Sequence, residues 1–328
     1  MPSRSILAVF VIALLLTPAA SAGGQKVTLT LDWTPNPDHV GFYYAHSTGR
    51  FAKAGLDVTI RAPSDPTAPL KLVAAGQSDL AVSYEQELFF AAANKLPVVA
   101  VAAVVPQPLN SIVSIEPRIH SLADLKRRTV GITGVPSDYA ALDTALASVG
   151  LTRKDVHVVS VGYNLLPALL AHKVDAVIGV YRNVEGIQLQ ERGLKPTIIP
   201  LDRAGIPTYD ELVLVANAQR LRTDSAYRST VRRFVGAFLA GTSQARQHPQ
   251  RALAILRKVT ASDPRFLARA TPATLALLGG RDGIGCMRRG QWQRFGNWMH
   301  TRSLLKDPIP AATVMSTRFL PHRCRAAG

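Results

Sequence analysis

KVTLTLDWTPNPDHVGFYY, residues 26–44, reads as a strand, a stiff turn and a helix in immediate succession. Residues 26–32 alternate β-branched and apolar positions with polar ones, as a half-buried strand does. Pro35 and Pro37 stop that strand, because proline lacks the ladder N–H and fixes its own φ. An apolar helical pattern starts at Val40 and runs to Gly49, where the next break falls. One strand–turn–helix unit does not set a fold, but its repetition along a chain does.

The rhythm continues outward from this unit. Strands are expected at residues 56–60, 79–83 and 97–105, with helices at 69–75 and 87–94 between them. The 97–105 run is apolar throughout, as in a strand buried on both faces. A second, similar unit starts after Ser111. It has a short helix at 122–125, strands at 129–132, 156–161, 176–180 and 197–200, and helices at 138–149 and 165–171. Residues 212–216 (LVLVA) read as a strand that returns to the first unit, and from Tyr227 onward the pattern is mainly helical. Both units read as parallel-sheet lobes. The fold class is therefore α/β and two-lobed, with lobe 1 formed by residues 23–110 and 214–328 and lobe 2 by 111–213. Crossovers near 110–114 and 209–213 form the hinge, and a cleft lies between the lobes, where loops from strand ends converge.

Composition agrees with a chain of this kind. The 328 residues are 47% hydrophobic and 18% charged, which describes a globular protein with a sizeable core. Arg4, the apolar run 6–16 and the small-residue triplet Ala20-Ser21-Ala22 fit a secretory signal cleaved near Ala22, with no cysteine behind it to carry a lipid. Eleven apolar residues are too few to span a bilayer. The net charge is +16, and residues 218–328 carry the whole excess, with 20 basic and 4 acidic groups. These arginines have no interleaved aromatics, which argues against nucleic acid. They read either as a solvated basic face or as a surface for an anionic membrane or a permease. Cys286 and Cys324 are the only cysteines. In an oxidising compartment they can pair and clip the tail to the body, or stay as two free thiols.

Three clusters carry candidate chemistry. Trp33 stands at a strand end with Asn36 and His39 close behind, so it can stack on a flat ring while the polar groups address the ring's edge. The same pattern also fits a core tryptophan beside a rigid turn. Tyr84 and Glu85 follow the strand ending at Val82, with Glu87 one helical step on; acidic residues there also suit a plain helix start. Tyr181 and Glu185 follow the strand at 176–180 and can meet Trp33 from the other lobe. Asp210 and Glu211 fall at the return crossover as hinge or ligand residues, and the 133–138 loop offers backbone N–H groups. Hydrolase readings fail: G-x-S-x-G, H-E-x-x-H and glycine-rich phosphate loops are all missing. No metal site, cofactor or catalytic residue is expected.

The blocks LDWTPNPDHVGFYYA (31–45), GRFAKAGLDVTI (49–60), LVAAGQSDLAVSYEQEL (72–88), VDAVIGVYRNVEG (174–186) and IPTYDELVLVAN (206–217) resemble the thiamine-pyrimidine-precursor family of periplasmic binding proteins. The tail segments FGNWMHTRSLL (295–305) and TRFLP (317–321) resemble it too. The resemblance implies a type II periplasmic-binding fold, a monomer, an ABC importer partner, and a ligand such as hydroxymethylpyrimidine or formylaminopyrimidine. It places Trp33, Asn36, His39, Tyr84, Glu85, Tyr181 and Glu185 on the family's ligand-binding blocks. The same fold includes a fungal enzyme that makes the pyrimidine from pyridoxal phosphate and histidine. An ungapped alignment to the shared Pro97-Val98 sets Ser83 where that enzyme has its cofactor lysine and Glu87 where it has its sacrificial histidine. The enzyme's cysteine-rich iron cluster has no counterpart, since residues 203–211 contain no cysteine. A binding protein for another ring, such as riboflavin, is the other alternative.

Overall fold

The computed structural model describes residues 24–326. The expected signal segment, residues 1–22, lies outside the described residues. Ten strands form two five-stranded sheets with helices packed on them. The first sheet has β1 (Gln25–Thr30), β2 (Leu56–Arg61), β3 (Leu80–Ser83), β4 (Val98–Val105) and β10 (Leu212–Asn217), in the order β2-β1-β3-β10-β4. The second has β5 (Asn110–Ser114), β6 (Thr129–Ile132), β7 (His157–Ser160), β8 (Ala176–Tyr181) and β9 (Thr197–Pro200), in the order β7-β6-β8-β5-β9.

The sheets are mixed, which corrects the expectation of parallel lobes. β10 runs antiparallel to both β3 and β4, and β5 runs antiparallel to both β8 and β9. These are the strands by which the chain enters or leaves a lobe, and each is inserted between two neighbours instead of being added at an edge. Residues 110–114, expected as a crossover, are β5, so the first crossing is confined to residues 106–109. Composition cannot show strand direction here: β10 is buried at every position, as β4 is. A helix at Glu185–Glu191 and another at Ala218–Thr223 also escaped the sequence reading.

The long helix Ser225–Gln247 backs the first sheet. Asp224 caps it, accepting from the Tyr227 N–H at 2.9 Å. Its inward face carries Val231, Phe234, Val235 and Phe238, and Phe238 stacks on Phe42 with ring centroids 4.3 Å apart. The partner helix, Val40–Ser47, approaches so closely that both contact points are glycines. A Cβ on Gly41 would lie 2.1 Å from Thr242 Oγ1, and one on Gly241 2.6 Å from Ala45 Cβ. This contact fixes the helix that leaves the turn after β1, and so fixes the turn.

Cys286 and Cys324 form a disulfide, with Cα atoms 4.9 Å apart and a sequence separation of 38. The C-terminal segment lies against β4: Met315 bridges Ala100, and the Ser316 N–H donates to the Ala100 carbonyl at 2.8 Å. A strand edge that would otherwise expose unpaired polar groups is thereby covered. Among the described residues no helix is long and apolar enough to cross a membrane.

Candidate functional site

The turn after β1 is held by its own side chains. Asn36 caps the short turn Pro37–His39, its Oδ1 accepting from the Asp38 N–H at 2.8 Å. The Asn36 N–H donates to His39 Nδ1 at 3.3 Å, so Nδ1 carries the lone pair and the ring proton sits on Nε2. That Nε2–H donates to Asp32 Oδ1 at 2.7 Å. The second oxygen of Asp32 accepts from the Tyr84 hydroxyl at 3.3 Å. Asn36 and His39 are buried within the turn, and neither reaches the cleft wall. They hold Asp32, a residue the sequence reading passed over, and Asp32 does line the cleft.

The cleft encloses about 370 Å³ counting its open mouth. The first lobe contributes Asp32, Trp33 and Tyr84, from the carboxyl ends of β1 and β3. The second contributes Thr133, Tyr163, Gly179, Tyr181 and Glu185. Trp33 faces Tyr163, with centroids 6.2 Å apart and planes inclined by 26°. The Tyr163 hydroxyl donates to the Asp32 carbonyl at 2.7 Å, a direct bond between the lobes. The sequence reading chose Tyr181 as the ring opposite Trp33. Tyr181 forms part of the wall, but the opposing ring is Tyr163. Its position just after β7 is the same strand-end signal that picked out Tyr84 and Tyr181. Gly179 adopts φ +98°, and a Cβ there would meet Thr133 Cγ2 at 3.1 Å and Asp138 Oδ1 at 3.3 Å. A side chain at this position would both strain the backbone and crowd the second-lobe wall.

Glu185 opens its helix, and its Oε2 accepts from the Tyr181 N–H at 2.8 Å. Burial raises its pKa to about 8, so the acid form is favoured near neutrality. Glu85 is placed differently. It is fully buried, and its Oε2 accepts from the Asp210 N–H at 2.7 Å and from Gln291 Nε2 at 3.0 Å. Burial first, and the Asp210 charge second, raise it well above the usual carboxylate range. Glu85 therefore ties the first lobe to the return crossover and does not line the cleft. Asp210 in turn accepts from Trp292 Nε1 at 2.8 Å.

Glu211 joins the two crossings. Its Oε2 accepts from the Leu109 N–H at 2.6 Å, the Asn110 N–H at 2.7 Å and the Tyr209 hydroxyl at 3.1 Å. Asn110 passes the contact on, its Oδ1 accepting from the Gly179 N–H at 3.0 Å. Further bonds hold the lobes together. Asn183 Nδ2 donates to Asp38 Oδ1 at 2.7 Å and to Thr274 Oγ1 at 2.9 Å. Glu87 Oε1 accepts from the Ser137 N–H at 2.9 Å, at the start of helix Pro136–Ala147. Ser83 and Glu87 line a neighbouring groove and not the Trp33 cleft. Among the described residues no three His, Cys, Asp or Glu side chains gather in a way that could hold a metal ion. The geometry suits capture of a flat ring between two aromatics, with carboxyl groups at its edge.

Two α/β lobes, crossed twice by the chain and closing on a cleft at their strand ends, define the periplasmic-binding-protein fold. The alkanesulfonate-binding protein of Xanthomonas axonopodis pv. citri, solved with MOPS bound, superposes with a TM-score of 0.71 at 16% identity, covering 89% of this chain and 98% of that one. The chain belongs to the NMT1/THI5-like family, which it matches over residues 36–252. It is 32% identical to the formylaminopyrimidine-binding protein of Halalkalibacterium halodurans, over 89% of this chain and 90% of that protein. It is 41% identical to a Haemophilus influenzae protein named for thiamine biosynthesis, over 74% of this chain and 76% of that protein. The family also contains fungal synthases: the 4-amino-5-hydroxymethyl-2-methylpyrimidine phosphate synthase of Uromyces fabae is 27% identical over 51% of this chain and 49% of its own length.

Proposed function

We propose that this protein is the solute-binding component of an ABC importer, exported to the periplasm, and that its ligand is a thiamine pyrimidine precursor, hydroxymethylpyrimidine or formylaminopyrimidine. In this reading lobe 1 comprises residues 23–110 and 214–328, and lobe 2 residues 111–213. The observation that carries it is the Trp33–Tyr163 pair across the cleft. The two rings come from different lobes, so a ring bound between them joins the lobes and favours closure. Closure is what a permease partner reads. Asp32 and Glu185 supply carboxyl groups for an exocyclic amine and a ring nitrogen. Glu185 in its acid form donates, and the Asp32 carboxylate accepts. The space between the lobes as they stand is about 30 Å³, smaller than a ring, so the lobes part at the hinge to admit a ligand and close on it.

The protein acts as a carrier and not as a catalyst in this account. Ser83 and Glu87, which stand at the positions of the fungal enzyme's lysine and histidine, lie outside the ring-binding cleft, and serine cannot form the Schiff base. Incubating the purified protein with pyridoxal phosphate and iron, and assaying for pyrimidine, tests this directly. The expected result is no product, and a pyrimidine signal would overturn the reading. Thermal-shift titration with the two pyrimidines, thiamine and riboflavin tests the ligand. Stabilisation by the pyrimidines is expected, and stabilisation by riboflavin alone would contradict it.

A further inference from the structure

The far edge of the first lobe holds a second concave site. It is a groove of about 1110 Å³, counting its open mouth, and Arg222, Arg228, Arg232, Arg318 and Arg325 all line it. The hydroxyl-bearing Thr313, Ser316 and Thr317 line it as well, and no carboxylate does. None of the five guanidiniums is ion-paired among the described residues. Asp79 and Asp224, on adjoining elements, are both engaged by Arg220. Local work occupies only part of the arginines' donor capacity. Arg228 donates to the Leu221 and Arg222 carbonyls, at 3.2 and 3.0 Å, and Arg325 to the Leu320 carbonyl at 3.0 Å. Arg232 lies over the Phe319 ring at 5.8 Å. Each guanidinium has five N–H donors, so most remain available.

The lining is rich in donors and cationic, which is the chemistry of a phosphate-binding surface. Its floor includes Val99, Leu221 and Phe319, which are apolar. Val99 sits at the amino end of β4, whereas the ring-binding cleft lies at the carboxyl ends of β1 and β3. β3 and β4 both run antiparallel to β10, so the groove and the cleft are at opposite edges of the sheet. The length of β4, about 25 Å at the usual rise per residue, separates them. A small soluble anion would need only the groove. The groove belongs to a region, residues 218–328, that carries 20 basic and 4 acidic residues, and a net charge of that size favours an extended anionic surface over a single small ion.

We infer that this groove docks the protein on an anionic membrane, the arginines taking the phosphate of a lipid headgroup, while the cleft at the opposite edge stays free. Sedimentation of the purified chain with vesicles tests this. The chain binds vesicles of phosphatidylglycerol in phosphatidylcholine, does not bind phosphatidylcholine alone, and is released by high salt. The exposed pair R222E/R318E weakens the anionic-vesicle affinity by about tenfold or more. The exposed pair R257E/K258E, with the same charge change outside the groove, weakens it less, and both variants keep the parent melting temperature. The inference is overturned by no retention on anionic vesicles, by retention that survives R222E/R318E, or by equal losses in both double variants. Titration with inorganic phosphate and pyrophosphate separates the sources: binding of either in solution without vesicle retention rules out the lipid.

Discussion

Tyr163 and Asp32 are bonded across the cleft, the phenolic O–H of one lobe donating to the backbone carbonyl of the other at 2.7 Å. The bond sets the Tyr163 ring opposite Trp33, 6.2 Å away between centroids. Two planar rings that sandwich a third sit about 7 Å apart, at twice the contact distance between carbon atoms. The lobes are therefore close to the separation that a bound ring requires, and a small opening at the hinge admits one.

Removing either half of the sandwich weakens ring binding by a predictable amount. Trp33→Ala loses the stack and lowers pyrimidine affinity by about 1–3 kcal/mol, roughly 5- to 150-fold. Tyr163→Phe keeps the ring but deletes the interlobe bond, and costs about 1 kcal/mol. Calorimetric titration of the two variants beside the parent checks the order. Equal losses would mean that stacking contributes little.

Asn36 and His39 are bonded within the turn that holds Asp32, and are expected to act on a ligand through that turn. Asn36→Ala removes a cap and lowers stability by about 1 kcal/mol. His39→Phe leaves the Asp32 Oδ1 without its donor. Thermal unfolding combined with ligand titration separates these effects: Asn36→Ala shifts the melting temperature with a smaller affinity loss than Trp33→Ala. An affinity loss in Asn36→Ala as large as that of Trp33→Ala, at unchanged stability, would make Asn36 a direct contact.

Burial raises several carboxyl groups of the cleft and hinge above their ordinary values: Asp38 to about 6, Asp138 and Glu211 to about 7, and Glu185 to about 8. A raised acid binds more protons in the folded than in the unfolded chain between the two pKa values. Its stabilising contribution is complete below the unfolded value near 4 and is lost as pH rises through the folded value. The ligand-free melting temperature should therefore fall as pH is raised from about 5 to 8. Glu185→Gln, which stays neutral, should flatten the upper end of that fall. A melting temperature that rises across the interval would contradict these assignments.

The disulfide closes a loop across a sequence separation of 38 residues, and the entropy of that closure amounts to about 3–4 kcal/mol. Cys324→Ser should lower the denaturant midpoint accordingly. Pyrimidine affinity should be unchanged in the same variant, because the clipped tail lies along β4. Chemical unfolding with and without reductant, followed by ligand titration, measures both.

How much of this was legible in the sequence follows from where side-chain pattern carries information. The alternation of residues 26–32 and the prolines behind it marked β1 and its turn, and the apolar run at 97–105 marked β4. Strand direction left no such mark, because β10 and β4 are buried on both faces and read alike either way. Trp33, Tyr84, Tyr181 and Glu185 were found as strand-end residues, and all four line the cleft. Tyr163 and Asp32 carried the same signal and were passed over. Asn36, His39 and Glu85 were singled out as ligand contacts, and the structure places them in bonds to a turn and a hinge and not in the cleft wall; in sequence the two kinds of polar side chain look alike. Only their partners, Asp38, Asp32 and Asp210, tell the two apart.

The most direct measurement is calorimetric titration of the purified protein with hydroxymethylpyrimidine and with formylaminopyrimidine, run in parallel on the parent and on Trp33→Ala. The account predicts saturable binding of at least one pyrimidine at one site per chain, weakened roughly 5- to 150-fold in the variant. No binding of either pyrimidine to the parent, or binding that Trp33→Ala leaves intact, would contradict it.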